Sequence, residues 1–166
     1  MKQIYTKTGD AGDTSLRNGV RVAKDDLRIE VNGQLDHLNA ILGVIRSMWD
    51  THDEAYLLIA LVQNELMTIM SHVATPEGAV NLRQLHTDEL TQHMEQFIDS
   101  VRKEGGFVVP GSGSQLSAFL HLGRTQTRTV ERRLWTLHRQ YPVHESILRM
   151  MNRLSDYLFV LAIDKE

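Results

Sequence analysis

Four charged side chains follow one another at helical spacing late in the chain: Arg124, Arg128, Glu131 and Arg132. Because residues three and four positions apart share one face of a helix, they predict a cationic stripe, with His121 one turn earlier on the same side. The three guanidinium groups repel one another, and the carboxylate of Glu131 compensates only one of their charges, so an external anion would resolve the imbalance. The stripe therefore indicates an anion site, although a solvated face or a subunit contact explains such stripes more often.

Two other predicted helices carry polar stripes that could meet the first. One contains Asn32, Asp36, Asn39 and Gly43, and the other contains Arg149, Asn152, Arg153 and Asp156. Three polar stripes in one helical protein suggest a single shared site.

A segment rich in Gly, Asp and Thr spans residues 5 to 16. We expect Gly9 and Gly12 to adopt positive φ and to let backbone N–H groups converge on an oxyanion, with Thr6 and Lys7 nearby. Lys24 is a further candidate phosphate contact. The spacing is not that of a P-loop, and a simple turn explains the segment equally well.

Residues 107 to 114 join the apolar Phe107 to a Gly/Ser turn in front of a predicted helix. A helix N-terminus favours anions, so this turn is a second candidate anion site. A plain helix-capping loop is the alternative.

Several kinds of chemistry are excluded by composition and spacing. The chain has no cysteine, which removes disulfides, thiolate metal sites and thiol nucleophiles. Its eight histidines show no zinc-binding spacing, and no G-x-S-x-G motif is present. If the protein is an enzyme, its substrates must supply the nucleophile.

The overall composition is that of a globular chain. With 166 residues, 42% hydrophobic and 23% charged, we expect a single domain spanning residues 1 to 166. A net charge of −3 argues against nucleic-acid binding. Neither a signal peptide nor an uninterrupted apolar run of membrane-spanning length is recognised, so we expect no membrane partner and a cytoplasmic location.

Apolar residues recur at alternating steps of three and four along most of the chain, which predicts helices. The predicted helices cover residues 25–48, 53–73, 81–103, 114–139 and 144–163. Short connections between long helices favour an all-α, up-and-down five-helix bundle, preceded by an ordered N-terminal loop.

An ordered series of motifs resembles one enzyme family. The matching runs are YTKTGD (5–10), TSL (14–16), RV (21–22), KDD (24–26), FV (107–108), PG (110–111), HLGRT (121–125) and NRLSDY (152–157), together with Gly33, Asp36, Leu38, Asn39, Arg128, Glu131 and Arg132. These are similar to the ATP:cob(I)alamin adenosyltransferases of the propanediol-utilisation type, and the match covers nearly the whole chain.

The resemblance implies a homotrimer of five-helix bundles that binds ATP between subunits. Co(I) of the corrinoid attacks C5′ of ATP and expels triphosphate, which forms adenosylcobalamin. A reductase or an adenosylcobalamin-dependent enzyme is a possible partner.

The resemblance also assigns residues. Those implied to hold ATP are Thr6, Lys7, Thr8, Gly9, Lys24, Arg128, Glu131, Arg132 and Asn152. Glu131 would also contact the divalent cation, Mg²⁺. Asp36 and Arg124 would pair across the subunit boundary, and Phe107 would face the lower side of the corrin, where it clears an axial position of cobalt.

The chain departs from the family pattern at positions that touch this site. Ala11, His37 and Thr129 stand where the family has lysine, glutamate and arginine, respectively. These departures motivate an alternative, a non-catalytic carrier or regulator that binds ATP or adenosylcobalamin on the same bundle. A helical assembly protein without a small-molecule site is a third possibility.

Overall fold

The structure, a computed structural model, describes residues 7–76, 83–101 and 109–166. In these ranges the chain forms five helices: α1 (Leu27–Ser47), α2 (Glu54–Val73), α3 (Thr87–Ser100), α4 (Gln115–Gln140) and α5 (Glu145–Asp164). A two-stranded sheet precedes them, with β1 at Asp13–Ser15 and β2 at Arg21–Ala23. The prediction of an all-α five-helix bundle is confirmed. The predictions at Thr6 and Phe107 fall outside the described residues.

Successive helices run in opposite directions and share one hydrophobic core. Helix α4 packs between α1 and α5, α3 packs on α5, and α2 packs on α1. Leucines at the predicted core positions, such as Leu35, Leu42 and Leu134, are fully buried. Each such side chain contributes about 1.5 to 3 kcal/mol by leaving water. Helices α2 and α3 also pack on each other, over a smaller contact than these pairs make.

The Gly/Ser turn before α4 is a helix cap. The Ser114 hydroxyl accepts a 3.0 Å hydrogen bond from the N–H of Ser117 and donates a 2.6 Å bond to the carbonyl of Lys165. It therefore caps α4 and ties this turn to the end of α5. The capping alternative is the one that the geometry supports.

Helix α3 begins later than predicted. The expectation was a helix from residue 81, whereas the structure starts it at Thr87. The carboxylate of Glu65, which is buried against α3, accepts a 2.7 Å hydrogen bond from the N–H of His86. A contact from another helix thus fixes this boundary, and local periodicity does not reveal it.

The N-terminal segment is more regular than the predicted loop. Strands β1 and β2 pair antiparallel, with Thr14 opposite Val22. Arg17 secures the hairpin to the end of α2, where its N–H donates to the carbonyl of Ala74 at 2.8 Å and its Nη1 donates to Ser71 Oγ at 2.6 Å. The sequence predicted an ordered N-terminal loop, and the structure adds that two stretches of it pair as strands, which are too short to show a period of two.

The start of α1 is joined to the end of α4. Asp26 caps α1 by accepting the N–H of Arg28 at 2.9 Å, and its carboxylate forms a 2.8 Å ion pair with the Arg28 side chain. That hydrogen bond to the guanidinium lowers the pKa of Asp26. The Arg28 guanidinium also lies 4.3 Å from the ring centroid of Tyr141, just beyond α4. The hairpin therefore enters the bundle at a fixed place relative to α4.

Helix α2 is the one described helix that is long and apolar enough, by length and composition, to cross a membrane. Its apolar residues include Ile59, Val62, Leu66 and Ile69, which are fully buried in the bundle. Packing within the protein accounts for these four residues, whereas Leu57, Leu61 and Met67 of the same helix are more than half exposed.

Candidate functional site

A cavity of about 410 Å³ opens between the C-terminal half of α4 and the N-terminal half of α5. Its lining residues are Glu131, Trp135, His138, Glu145, Leu148, Arg149, Asn152 and Arg153. Glu131 and Asn152 came from two different predicted stripes, and the antiparallel packing of α4 on α5 brings them to the same cavity. Its volume lies within the range usual for small-molecule sites.

Both arginines in this cavity are already neutralised by acidic side chains. Arg149 Nη2 lies 3.0 Å from Asp88 Oδ1 on α3. Arg153 lies 3.0 Å from Glu95 on α3 and 2.7 Å from Asp156 on its own helix. Two members of the predicted α5 stripe, Arg149 and Arg153, thus hold α3 and α5 together, and a third, Asp156, pairs with Arg153 on α5. Asn152 is the member left exposed and without such a pairing among the described residues.

The predicted α1 stripe mostly faces α2. Asn32 Nδ2 donates to the carbonyl of Met70 at 3.2 Å, and Gln63 Nε2 donates to the carbonyl of Asn39 at 2.9 Å. A Cβ added to Gly43 would lie 3.6 Å from the same Gln63 nitrogen. The expectation that this stripe joins the other two was wrong for these residues, because α2 covers them. Asp36 is the exposed member.

Arg124 is half-buried and lies against His121. Its Nε donates a 3.4 Å hydrogen bond to His121 Nδ1, and its guanidinium lies 5.9 Å from the ring centroid of Phe159. Burial, helped by the charge of Arg124, lowers the pKa of His121. The neutral imidazole therefore acts as the acceptor. Within the described chain, Arg124 and Asp36 form no ion pair, and their predicted pairing across subunits stays a prediction.

The remaining cations of the α4 stripe point to solvent. Arg132 Nη2 donates to Thr129 Oγ1 at 3.1 Å. Arg128 is exposed and forms no ion pair with a described residue. Because an exposed guanidinium without a counter-charge can bind an anion in two-point geometry, Arg128 is a suitable ligand for phosphate.

The N-terminal segment folds back on itself around Gly9. Its turn places Lys7 at φ +59° and Gly12 at φ +93°. Gly12 thus has the positive φ that we expected, and Gly9 does not. A Cβ on Gly9 would lie 3.4 Å from Lys24 Cε and 3.5 Å from its Nζ. The carbonyl of Thr8 accepts a 2.9 Å hydrogen bond from Arg21 Nη2. Lys24 and Gly9, both predicted phosphate contacts, thus lie together beside the hairpin.

The described residues contain no cluster of three or more histidines and carboxylates able to hold a metal ion by themselves. Glu131 is half-buried and has no ion pair within the described chain. Mg²⁺ is commonly held by one or two carboxylates together with substrate phosphates. A single carboxylate at Glu131 therefore suits a cation that arrives with a nucleotide.

Four lining residues, His138, Glu145, Leu148 and Trp135, were not among the predicted site residues, and the largest of them is Trp135. It lies four residues after Glu131, so helical spacing could have placed it on the same face. The residue is 46% exposed although tryptophan has the largest side chain.

Comparison with known proteins identifies the family. The sequence model for "Cobalamin adenosyltransferase" matches residues 4–164, nearly the whole chain. The chain belongs to the cobalamin adenosyltransferase family. Among curated members, the corrinoid adenosyltransferase of Citrobacter freundii is 38% identical over 167 residues, covering 98% of this chain and 94% of the relative. The corrinoid adenosyltransferase PduO of Salmonella typhimurium is 36% identical, covering 96% of this chain and 48% of that protein.

Solved structures of family members share the fold. A phenylalanine-to-histidine variant of the PduO-type ATP:corrinoid adenosyltransferase from Lactobacillus reuteri, complexed with cobalamin and ATP, superposes with a TM-score of 0.86 at 31% identity, covering 96% of this chain and 89% of that one. An arginine-to-lysine variant of the same enzyme, complexed with ATP, gives a TM-score of 0.81 at 30% identity, with coverages of 96% and 91%.

Proposed function

We propose that this adenosyltransferase family member transfers the 5′-deoxyadenosyl group of ATP to the Co(I) centre of a corrinoid. The Co(I) electron pair forms the Co–C5′ bond while the C5′–O bond breaks, and the oxygen keeps its pair and leaves as triphosphate. The corrinoid supplies the nucleophile, which agrees with a chain that has no cysteine. The observation that carries the proposal is a family match that spans 4–164.

The exposed cations of this chain suit the binding and departure of triphosphate. Arg128 would hold phosphate oxygens, with Arg132 one turn away on α4. The other phosphate groups of the triphosphate would be held by Lys24 and by the turn at residues 7 to 9, with Thr6 before it. Each charge-assisted contact of this kind contributes roughly 1.5 to 3 kcal/mol. Because these groups strengthen their hold as negative charge collects on the leaving oxygen, they favour the transition state.

Glu131 and Asn152 would contact the nucleotide from the cavity between α4 and α5. Glu131 would also share the Mg²⁺ ion that accompanies ATP. That ion supplies charge neutralisation of the triphosphate, and the carboxylate keeps it close to Arg128 without a dedicated protein metal site.

We further propose that the protein is a homotrimer with ATP bound between subunits. Asp36 is exposed, and Arg124 has no carboxylate partner among the residues the structure describes. Two apolar side chains, Val44 of α1 and Leu122 of α4, are 42% and 48% exposed. A neighbouring subunit against α1 and α4 would pair the charges and cover this apolar surface.

We assign Phe107 to the corrin side of the site. Phe107 would occupy the space below cobalt and keep the lower axial ligand away, so that the metal is reduced more easily.

We place the protein in the cytoplasm, where a reductase or an enzyme that uses adenosylcobalamin would be its partner.

The assay that tests this function combines purified protein, ATP, Mg²⁺ and chemically reduced cobalamin, and follows the spectral change on formation of the Co–C bond. Sustained turnover with release of one triphosphate per bond supports the enzyme. Tight binding of adenosylcobalamin without turnover would select the non-catalytic carrier that the residues Ala11, His37 and Thr129 suggest.

A further inference from the structure

We propose that Trp135 is the surface on which the nucleobase of the bound nucleotide stacks, and that it gives the site its preference for a purine. The inference rests on the proposed function, since it concerns the ATP of that same reaction. It adds a binding residue that neither the sequence motifs nor the comparisons assign.

Trp135 is the large aromatic wall of the cavity between α4 and α5. Trp135 is 46% exposed, whereas the other tryptophan, Trp49, is only 8% exposed. Leaving so much of an indole in water is unfavourable, so an exposed tryptophan inside a concave site indicates a ligand that covers it.

The indole is held in place by its neighbours. The ring of His138 meets it edge to face, with centroids 5.8 Å apart and an interplanar angle of 77°. His138 in turn is fixed by Val143, whose N–H lies 3.2 Å from its Nδ1. A positioned ring loses little conformational freedom when a flat ligand stacks on it, which favours binding.

The charges of the cavity suit the nucleoside end of ATP better than its phosphates. Arg149 and Arg153 already form ion pairs with Asp88, Glu95 and Asp156. Glu145, which has no assigned role at Mg²⁺, forms no ion pair within the described chain, and its carboxylate repels a triphosphate. The same carboxylate accepts hydrogen bonds from ribose hydroxyls or from an exocyclic amine.

The position of Arg128 indicates where the phosphates of the bound nucleotide lie. Arg128 precedes Glu131 by three residues and lies about one helical turn away, outside the cavity lining. A nucleotide with its base on Trp135 and its ribose beside Asn152 therefore directs its phosphates, with their Mg²⁺ beside Glu131, toward Arg128. The buried Leu148 supplies further apolar lining for the base.

The two tryptophans allow a direct optical test. In Trp49→Phe, all tryptophan emission comes from Trp135, and we expect ATP to quench it saturably. Inorganic tripolyphosphate should bind without quenching. In the matched variant Trp135→Phe, the remaining Trp49 emission should not change with ATP. Trp49 lies near Lys165, which bonds to the N-terminal cap of α4, whereas residue 135 is in the C-terminal half of that helix.

Kinetics give the second test. Trp135→Ala should raise the KM for ATP about 10- to 100-fold, as expected for the loss of one base-stacking contact, with kcat little changed. Trp135→Phe should recover most of this loss, since a phenyl ring still stacks. In Trp135→Ala, kcat/KM for ATP divided by kcat/KM for CTP should fall, because the larger purine loses more stacking area than the pyrimidine does. Circular dichroism checks that each variant folds.

Two results would overturn the inference while leaving the function intact. One is quenching of Trp135 by tripolyphosphate as strong as by ATP, which would put phosphates in this cavity. The other is an unchanged KM for ATP in an active, folded Trp135→Ala protein. A wild-type protein that forms no Co–C bond contradicts the proposed function itself.

Discussion

The buried imidazole of His121 accepts, through Nδ1, a hydrogen bond from Nε of Arg124 at 3.4 Å. This geometry requires a neutral ring with its proton on Nε2, an atom that is buried without a hydrogen-bond partner among the described residues. Protonation would place a second positive charge beside the guanidinium. His121 thus orients Arg124, a residue proposed to work at a subunit boundary, only while it stays neutral.

The first prediction follows from the lowered pKa of His121. The unfolded chain takes up a proton near the ordinary histidine pKa of 6.5, whereas the folded ring does not. Stability from this residue is therefore complete above pH 6.5 and is lost as the pH falls toward the lower pKa of the folded state. Urea unfolding between pH 5 and 7.5 measures this slope.

His121→Asn is the variant for that measurement, because the amide oxygen can still accept from Arg124 but does not titrate. We expect a flatter dependence of the free energy of unfolding on pH. The exposed His93 provides the matched control, and His93→Asn should keep the wild-type slope. An unchanged slope in His121→Asn would disprove the assignment.

The second prediction concerns Arg128. Arg128→Ala should abolish measurable adenosylation and weaken ATP binding about 10- to 150-fold, the equivalent of roughly 1.5 to 3 kcal/mol for one charge-assisted contact. The melting temperature should not change, because the side chain is exposed and leaves no cavity. Calorimetric titration with ATP gives the affinity. Arg139→Ala, which removes another exposed α4 guanidinium outside the cavity lining, should bind ATP as wild type does.

The third prediction tests the pairing of Arg124 with Asp36 across subunits. Arg124→Ala and Asp36→Ala should each lower both the melting temperature and the activity, and the double variant should lose less than the sum of the two. Light scattering at micromolar concentration should give a trimer for the wild type and a smaller mass for the single variants. Strictly additive losses would show that the two residues do not interact.

The fourth prediction concerns Phe107, which lies outside the described residues. Phe107→Ala should slow the reaction mainly when the assay starts from Co(II) with a weak reductant, while the KM for ATP changes little. Electron paramagnetic resonance of Co(II)-cobalamin with ATP should show a four-coordinate signal that the variant lacks. A core phenylalanine would instead cost about 3 to 5 kcal/mol of stability and affect both substrates.

Helical periodicity predicted the bundle because its core positions recur with the period of the helix. Leu35, Leu38, Leu42 and Ile45 are all fully buried, as that spacing requires. The start of α3 could not be read in this way, because the Glu65 carboxylate of another helix holds His86. Local pattern determines an element, while a contact from a distant residue determines where it begins.

The polar stripes show a similar division. Spacing correctly grouped Asn32, Asn39 and Gly43 on one face of α1, but it could not show that α2 covers that face. The meeting of Glu131 with Asn152 depends on the packing of α4 on α5. Trp135 was missed because one aromatic residue on a charged helix carries no motif, and only its exposure inside a cavity distinguishes it.

The neutralisation of Arg149 and Arg153 by acids also determines how an anionic nucleotide approaches. The net charge of −3 repels ATP weakly at long range, and exposed cations such as Arg128 and Arg132 attract it only within a Debye length of about 8 Å. Capture should therefore be slower than the roughly 10⁸ to 10⁹ M⁻¹ s⁻¹ of electrostatically steered association. A high affinity for ATP must then come from slow release, and the short-range contacts of the site determine that release rate.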